Sequence, residues 1–426
     1  MRRHDSIARH YRGELMREGL DLDFVREQFP ALAGGWIYLD NAGGAQVLER
    51  VVARIGEFLL DSRSESTRGV PPPELAAERV RAAEQGVADL INAADRTEIV
   101  MGPSTTQLLA HLAAAMAEGI RPGDEIIVTD VDHEANIGPW LRLRERGAVI
   151  VWWRIDRERL TLDLKDLKGL LTPRTRLVCV THTSNILGEI VPVSEVARLA
   201  HEVGAQVCVD GVAFAPHRLV DVRAWDVDYY VFSCYKIFGP HHAVLYGRRD
   251  RLLALSNLNH YFFSKDDLPE KLQPGHANKE LSYGILGILD YFRALGERLG
   301  VPATAGIRAQ AARAFDAIAE HEEALAERLL GYLRAKPGVT VIGRTVADRL
   351  TRVPIISFTV SGRDSGRIPP SLFSHGLVTR AGHFYAKRLI EALDLGVTGG
   401  VVRISMVHYN TLAEVDALID RLEAMI

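Results

Sequence analysis

The chain has 426 residues, too many for one ordinary core, so two domains are expected. Its 47% hydrophobic and 25% charged content describes a globular protein, and a net charge of -4 without basic tracts argues against nucleic acid or anionic membrane as partner. Three cysteines, Cys179, Cys208 and Cys234, sit in or beside apolar runs and suggest buried thiols rather than a disulfide framework.

The start, Met1-Arg2-Arg3-His4-Asp5, lacks a signal-peptide core, and no apolar stretch is long enough to span a bilayer, so a cytoplasmic location is expected. Residues 5–19 and 21–29 read as short helices, the second stopped by Pro30. Trp36 to Asp40 reads as a strand, followed by the small-residue turn Asn41-Ala42-Gly43-Gly44. Helical stretches at 75–91 and 105–117 then alternate with short apolar strands. These are expected at 99–101, 125–128, 149–153, 176–180, 206–209 and 229–232, with a seventh returning at 242–246. Such alternation predicts a mostly parallel sheet covered on both faces by helices. From 281 to about 335 the pattern turns helical, broken at Gly300-Val301-Pro302. Strands at 339–342, 355–360, 378–380 and 401–405, with helices at 370–374 and 412–425, complete a smaller α+β region. The expected division is an N-terminal helical segment (1–35) packing on the small domain, a large α/β domain (36–285) and a small C-terminal α+β domain (286–426).

Chemistry concentrates at the carboxyl ends of the strands, where open α/β sheets place their ligands. The run ending Ser233-Cys234-Tyr235-Lys236 puts a lysine among apolar neighbours, which lowers its pKa and makes it a candidate Schiff-base nucleophile. Val209-Asp210-Gly211 ends a strand in a carboxylate, either a cap or the acid partner of a heterocyclic nitrogen. The cluster from Thr129 to Asn136 contains His133, either a loop histidine or an imidazole stacked on a flat ring. Asn185, after Thr181-His182-Thr183-Ser184, can donate to a ring substituent. Ser104-Thr105-Thr106 precedes a helix and offers a phosphate seat, a plain N-cap, or both. No set of residues has zinc-ligand spacing, and no metal is expected.

Taken in order, these stretches resemble a fold-type-I pyridoxal phosphate enzyme of the class V aminotransferase group, cysteine-desulfurase-like branch. The resemblance also rests on Tyr38-Leu39-Asp40-Asn41-Ala42, Arg380-Ala381-Gly382-His383, Val402-Arg403-Ile404-Ser405 and Tyr409-Asn410-Thr411. It implies that Lys236 carries the cofactor and shuttles the Cα proton, that Asp210 pairs with the ring nitrogen, and that His133 stacks on the ring. It implies further that Asn185 sits near the phenolic oxygen, that Thr105, Thr106 and Ser233 hold the phosphate, and that Arg403 clamps the substrate carboxylate, with Arg380, Asn41 and Ala42 beside it. Homodimers with shared active sites are implied as well.

Four positions depart from the desulfurase pattern. Tyr385 stands where the sulfur-accepting cysteine belongs, and Ala213 where a glutamine or histidine usually meets the phenolic oxygen. Tyr235 replaces a histidine that often touches the phosphate, and His276 replaces a threonine supplied by the partner. Tyr385 would protonate a leaving group or merely line the pocket. The leading expectation is a lyase that eliminates a Cβ substituent from cysteine or an S-substituted cysteine, without a persulfide. Amino transfer or epimerisation on the same scaffold, and a non-catalytic cofactor-binding partner protein, are the alternatives.

Overall fold

The computed structural model describes residues 19–61, 73–275 and 277–426. The expected helix at 5–19 lies outside them but for its last residue. Seven strands form the central sheet: β1 (Ile99–Gly102), β2 (Glu125–Thr129), β3 (Val149–Trp153), β4 (Thr175–Thr181), β5 (Gln206–Asp210), β6 (Tyr229–Ser233) and β7 (Ala243–Gly247). Their spatial order is β1-β7-β6-β5-β4-β2-β3. All neighbours pair in parallel except β7, which runs antiparallel to both β1 and β6. Strands β1, β2, β6 and β7 are buried along their whole length, which is why they read as continuous apolar runs rather than alternating ones.

A second, antiparallel sheet is built from β8 (Val339–Ile342), β9 (Ile355–Val360), β10 (Arg380–Gly382) and β11 (Val401–Ser405), in the order β10-β11-β9-β8. The strand expected at 378–380 is in fact two pieces. Leu377–Val378 pairs with Ile37–Tyr38, while β10 pairs with β11, and Thr379 lies between them. The expected strand from Trp36 to Asp40 shortens to two residues, which pair outside the large sheet, and Asp40 bridges to Ser405. Its pairing partner lies some 340 residues away, so no local pattern could have assigned it.

The helical section is three helices, Lys279–Gly284, Leu286–Arg298 and Gly306–Ala335. The 30-residue last helix contributes Ala311, Ala314 and Phe315 to the core under the large sheet, and Leu325, Leu329 and Leu333 to the core under the small one. Asp21 caps the helix Leu22–Glu27, and Arg26 from that helix binds Tyr409 O at 2.7 Å and Glu414 at 2.9 Å. The segment after residue 19 is thus tied to the C-terminal part of the chain. The helix Glu49–Asp61, which the alternation did not reveal, packs against the helices Lys279–Gly284 and Leu286–Arg298. Among the described residues no helix is long and apolar enough to cross a membrane.

Candidate active site

The carboxyl ends of β2, β4, β5 and β6 converge on one cleft, with about 510 Å³ of empty space including its mouth. Strand register brings the groups together. Thr181 at the end of β4 pairs with Asp210 at the end of β5, and Asp210 pairs with Val231, two residues before Ser233. The chain then turns through a single 3-10 turn, Cys234–Lys236, which places Lys236 in the cleft, 8% exposed. Burial and the guanidinium of Arg403 lower the Lys236 pKa to about 8, with Asp210 and Asp40 opposing.

Asp210 is buried, and one oxygen accepts the Val212 N–H at 2.9 Å. Burial raises its pKa, while that N–H and Lys236 pull it down. The following glycine is required by space. A Cβ on Gly211 would stand 2.2 Å from the ring of Tyr230. His133 lines the cleft half-buried, with Nδ1 accepting the Ala135 N–H at 3.1 Å, so its proton sits on Nε2. Desolvation, with Lys236 and Arg403 adding, lowers its pKa to about 4, and the ring is neutral at pH 7. Behind it Asp132 is fully buried, bonded by Thr129 and, at 2.6 Å, by Asn136. Burial is the main cause of its rise to about 8.

At the opposite end, Thr105 and Ser233 share a hydroxyl–hydroxyl bond of 2.7 Å at the start of the helix Thr105–Met116. Ser104 is that helix's cap, accepting the Gln107 N–H at 3.2 Å, and Ser104 and the exposed Thr106 line the same end of the cleft. Free N–H groups at such an end favour an anion. Tyr235 lies there too, its ring stacked on His241 at 4.8 Å. Ala213 forms part of the wall and offers no polar side-chain atom.

The substrate side is organised by Asp40. Arg403 in β11 gives it Nη2 at 2.7 Å, and Arg380, the register partner of Arg403 in β10, approaches at 3.5 Å. Arg403 also donates Nη1 to Asn185 O at 3.2 Å and lies 3.8 Å from the Phe384 ring centroid. Asn185 donates its amide to Phe384 O at 2.9 Å, while its Oδ1 is buried without a partner. The side chain of Asn41 is committed elsewhere, donating to Tyr38 O, Ser405 O and Asn410 and accepting from Tyr409. The Ala42 N–H is given to Ser405 Oγ at 2.9 Å. Tyr385 is 69% exposed, its ring 5.4 Å from that of His133. His276 lies outside the described residues.

The family described as Aminotransferase class-V matches residues 37–268 and 301–418. The chain belongs to the class-V aminotransferase family. Within it, an aminotransferase-like protein of Gibberella zeae, FGM3, is 42% identical over 95% of this chain and 98% of its own. A cysteine desulfurase-like protein of Aspergillus flavus, ustD, is 35% identical over 96% of this chain and 91% of its own. The crystal structure of the cysteine desulfurase CsdA from Escherichia coli superposes with a TM-score of 0.80 at 29% identity, covering 95% of this chain and 98% of that one. The chain is thus a pyridoxal-phosphate-dependent enzyme of the class-V, cysteine-desulfurase-like kind.

The donor set suits that cofactor. A buried amine and a buried carboxyl line one cleft, hydroxyls cluster at a helix N-terminus, and Thr183 Oγ1, Asn185 Oδ1 and Arg403 Nε are buried without partners. Sequence reasoning overlooked Phe384 and gave Asp40 and Asp132, both within stretches it singled out, no role in the site. Asp40 stands beside Asn41 in a stretch already singled out, but its partner Arg403 is 363 residues away. The three cysteines are all buried, in β4, in β5 and just after β6.

Proposed function

We propose that this enzyme cleaves a Cβ–S bond by β-elimination, acting on cysteine or an S-substituted cysteine without forming a persulfide. The observation that carries the reading is the loop 383–386, His383-Phe384-Tyr385-Ala386, which presents an exposed phenol and no thiol, while every cysteine is buried. A thiol sealed in a strand, its pKa raised by burial, is a poor nucleophile, as for Cys179 and Cys208.

Bound pyridoxal phosphate supplies an electron sink for negative charge developing at the substrate Cα. The chain's own groups supply the rest. Lys236 carries the cofactor and, with its pKa near 8, can take and return a proton at Cα near neutral pH. Asp210 would hold a proton on the ring nitrogen, the neutral imidazole of His133 would stack on the ring, and Asn185 would sit near the phenolic oxygen. Thr105, Thr106, Ser233 and Tyr235 hold the phosphate, and Ala213 leaves room where the family usually places a polar side chain. Arg403 takes the substrate carboxylate, assisted by Arg380, with Asn41 and Ala42 shaping that end. Tyr385, its ring 5.4 Å from that of His133, protonates the departing sulfur or lines the approach to the site. A homodimer and a division into large (36–285) and small (286–426) domains belong to the same reading.

The test is a panel of α-amino acids differing in the Cβ substituent, including cysteine and S-alkyl cysteines, given to purified holoenzyme. Elimination converts cysteine and water to pyruvate, ammonia and hydrogen sulfide in equal amounts, and Lys236→Ala should abolish it. Absence of both pyruvate and ammonia with every sulfur substrate would refute the reading. The name of the Gibberella zeae relative favours a second one, amino transfer, which yields the keto acid without free ammonia.

A further inference from the structure

At the wall of the cleft, Asn185, Arg403 and Phe384 are joined in a closed circuit of contacts. Asn185 accepts Arg403 Nη1 on its backbone oxygen at 3.2 Å. Its side-chain amide donates to Phe384 O at 2.9 Å. The Phe384 ring then returns to Arg403, 3.8 Å from guanidinium carbon to centroid. Arg403 is 2% exposed, and its Nε–H has no partner. In-plane bonds to Asp40 and Asn185 fix the direction of the guanidinium, and the aromatic ring occupies one of its two faces. A cation over an aromatic face is attracted by the ring quadrupole, more strongly when water is excluded, as it is here.

The backbone that carries this contact is unusual. Phe384 and Tyr385 have φ of 48° and 60°, two consecutive non-glycine residues in the left-handed region. Such strain persists only where surrounding contacts hold it. Here the Glu134 N–H donates to Tyr385 O at 2.8 Å, the Tyr385 N–H to His383 Nδ1 at 3.1 Å, and Arg388 binds both Glu134 oxygens at 2.9 and 3.0 Å. Tyr385 is largely exposed, its ring near His133, while the Phe384 ring lies against Arg403.

We propose that Phe384 is a positioning residue that orients and desolvates the Arg403 guanidinium for a substrate carboxylate, and so tunes selection of carboxylate-bearing ligands. The proposal rests on the reading of Arg403 as the carboxylate clamp. Its action is through Arg403, so it should affect ligands with a carboxylate and spare otherwise identical ligands without one.

The test uses holoenzyme and two probes, L-alanine and L-alaninamide, whose binding is read by the shift of the cofactor's absorption band and by calorimetry. Phe384→Leu keeps an apolar side chain and removes the π face. It should weaken alanine binding by about 2- to 30-fold, the range expected for losing a cation–π contact. Alaninamide binding should change by less than about twofold on the same scale, and Phe384→Trp should restore alanine binding. Unchanged alanine binding, or equal weakening of both probes, overturns the proposal. If Phe384→Leu fails to fold, mono- to trifluorinated phenylalanine at position 384 preserves shape and drains the ring charge stepwise. Alanine binding should then weaken with each fluorine, and a flat series overturns the proposal. Arg403→Lys separates the two levels of argument. If that variant binds alanine as the parent does, the clamp assignment itself fails, whatever Phe384 shows.

Discussion

Lys236 shows how one residue's chemistry follows from its surroundings. Its ammonium is taken out of water at the end of a strand, faces the guanidinium of Arg403, and receives only partial compensation from Asp210 and Asp40. A pKa near 8 leaves roughly one amine in ten unprotonated at pH 7, against fewer than about one in a thousand for an ordinary lysine. The sign is fixed by charge. Burial penalises the protonated form, so the proton leaves near pH 8 rather than in the usual lysine range. Carbamylation of the cofactor-free protein with cyanate, quantified peptide by peptide, should therefore show Lys236 reactivity rising through pH 8 and levelling by about pH 9, below the usual lysine range. A midpoint near pH 10 would show that the strand end does not perturb it. At this scale the sequence was informative for Lys236, Asp210 and His133, because each ends or follows a strand that can be read locally. It was silent on Phe384, since neither its ring contact with Arg403 nor its carbonyl's bond to Asn185 leaves a local pattern.

At the scale of elements, the large sheet was legible because its strands are buried runs separated by helix-length segments, the signature of parallel pairing. The small sheet was legible in part. Its strands at 339–342, 355–360 and 401–405 were expected as they stand, but the split at Thr379 depends on pairing with Ile37–Tyr38. The helix at Val193–Glu202 was not among the expected elements, although it buries Val193, Val196, Ala197 and Ala200 at helical spacing, a face legible in the sequence. What sets the geometry of the site at this level is the end of β5. Gly211 donates its N–H to Val231 O at 2.8 Å, and Tyr230, fully buried, presses against its α-carbon. The Tyr230 hydroxyl is bonded to His182 at 2.9 Å, and its ring packs on Trp225, so it cannot swing away. Gly211→Ala should cost about 1–3 kcal/mol, the usual range for overpacking, and should shift Asp210 with the strand end. The measurements are chemical unfolding of the cofactor-free protein and the intensity of the bound cofactor's absorption band. If neither moves, the close approach to Tyr230 is not what demands a glycine.

For the molecule as a whole, the question is what makes two cores behave as one. The helix Gly306–Ala335 runs through both, and at its midpoint Glu322, fully buried, binds His217 at 2.9 Å through one oxygen and Arg218 at 2.9 Å through the other. Arg218 continues the link, donating to Arg349 O at 3.1 Å and to Arg352 O at 3.4 Å. A buried charge is tolerable only when paired, so this knot welds the helix to the segment after β5 and to the strap leading into β9. The site depends on that weld, because Lys236 and Asp210 come from the large sheet while Arg403 and Arg380 come from the small one. Glu322→Gln keeps the shape and removes the charge, leaving Arg218 largely buried without its anion. The expected cost is about 3–5 kcal/mol, the range for breaking a buried ion pair. It should fall on the junction rather than on either core, whose apolar residues are untouched. Calorimetry should then resolve two endotherms where the parent protein shows one, and substrate affinity should fall before the cofactor is lost. A single endotherm displaced by less than about 1 kcal/mol of stability would mean that the apolar faces of the long helix alone couple the two halves.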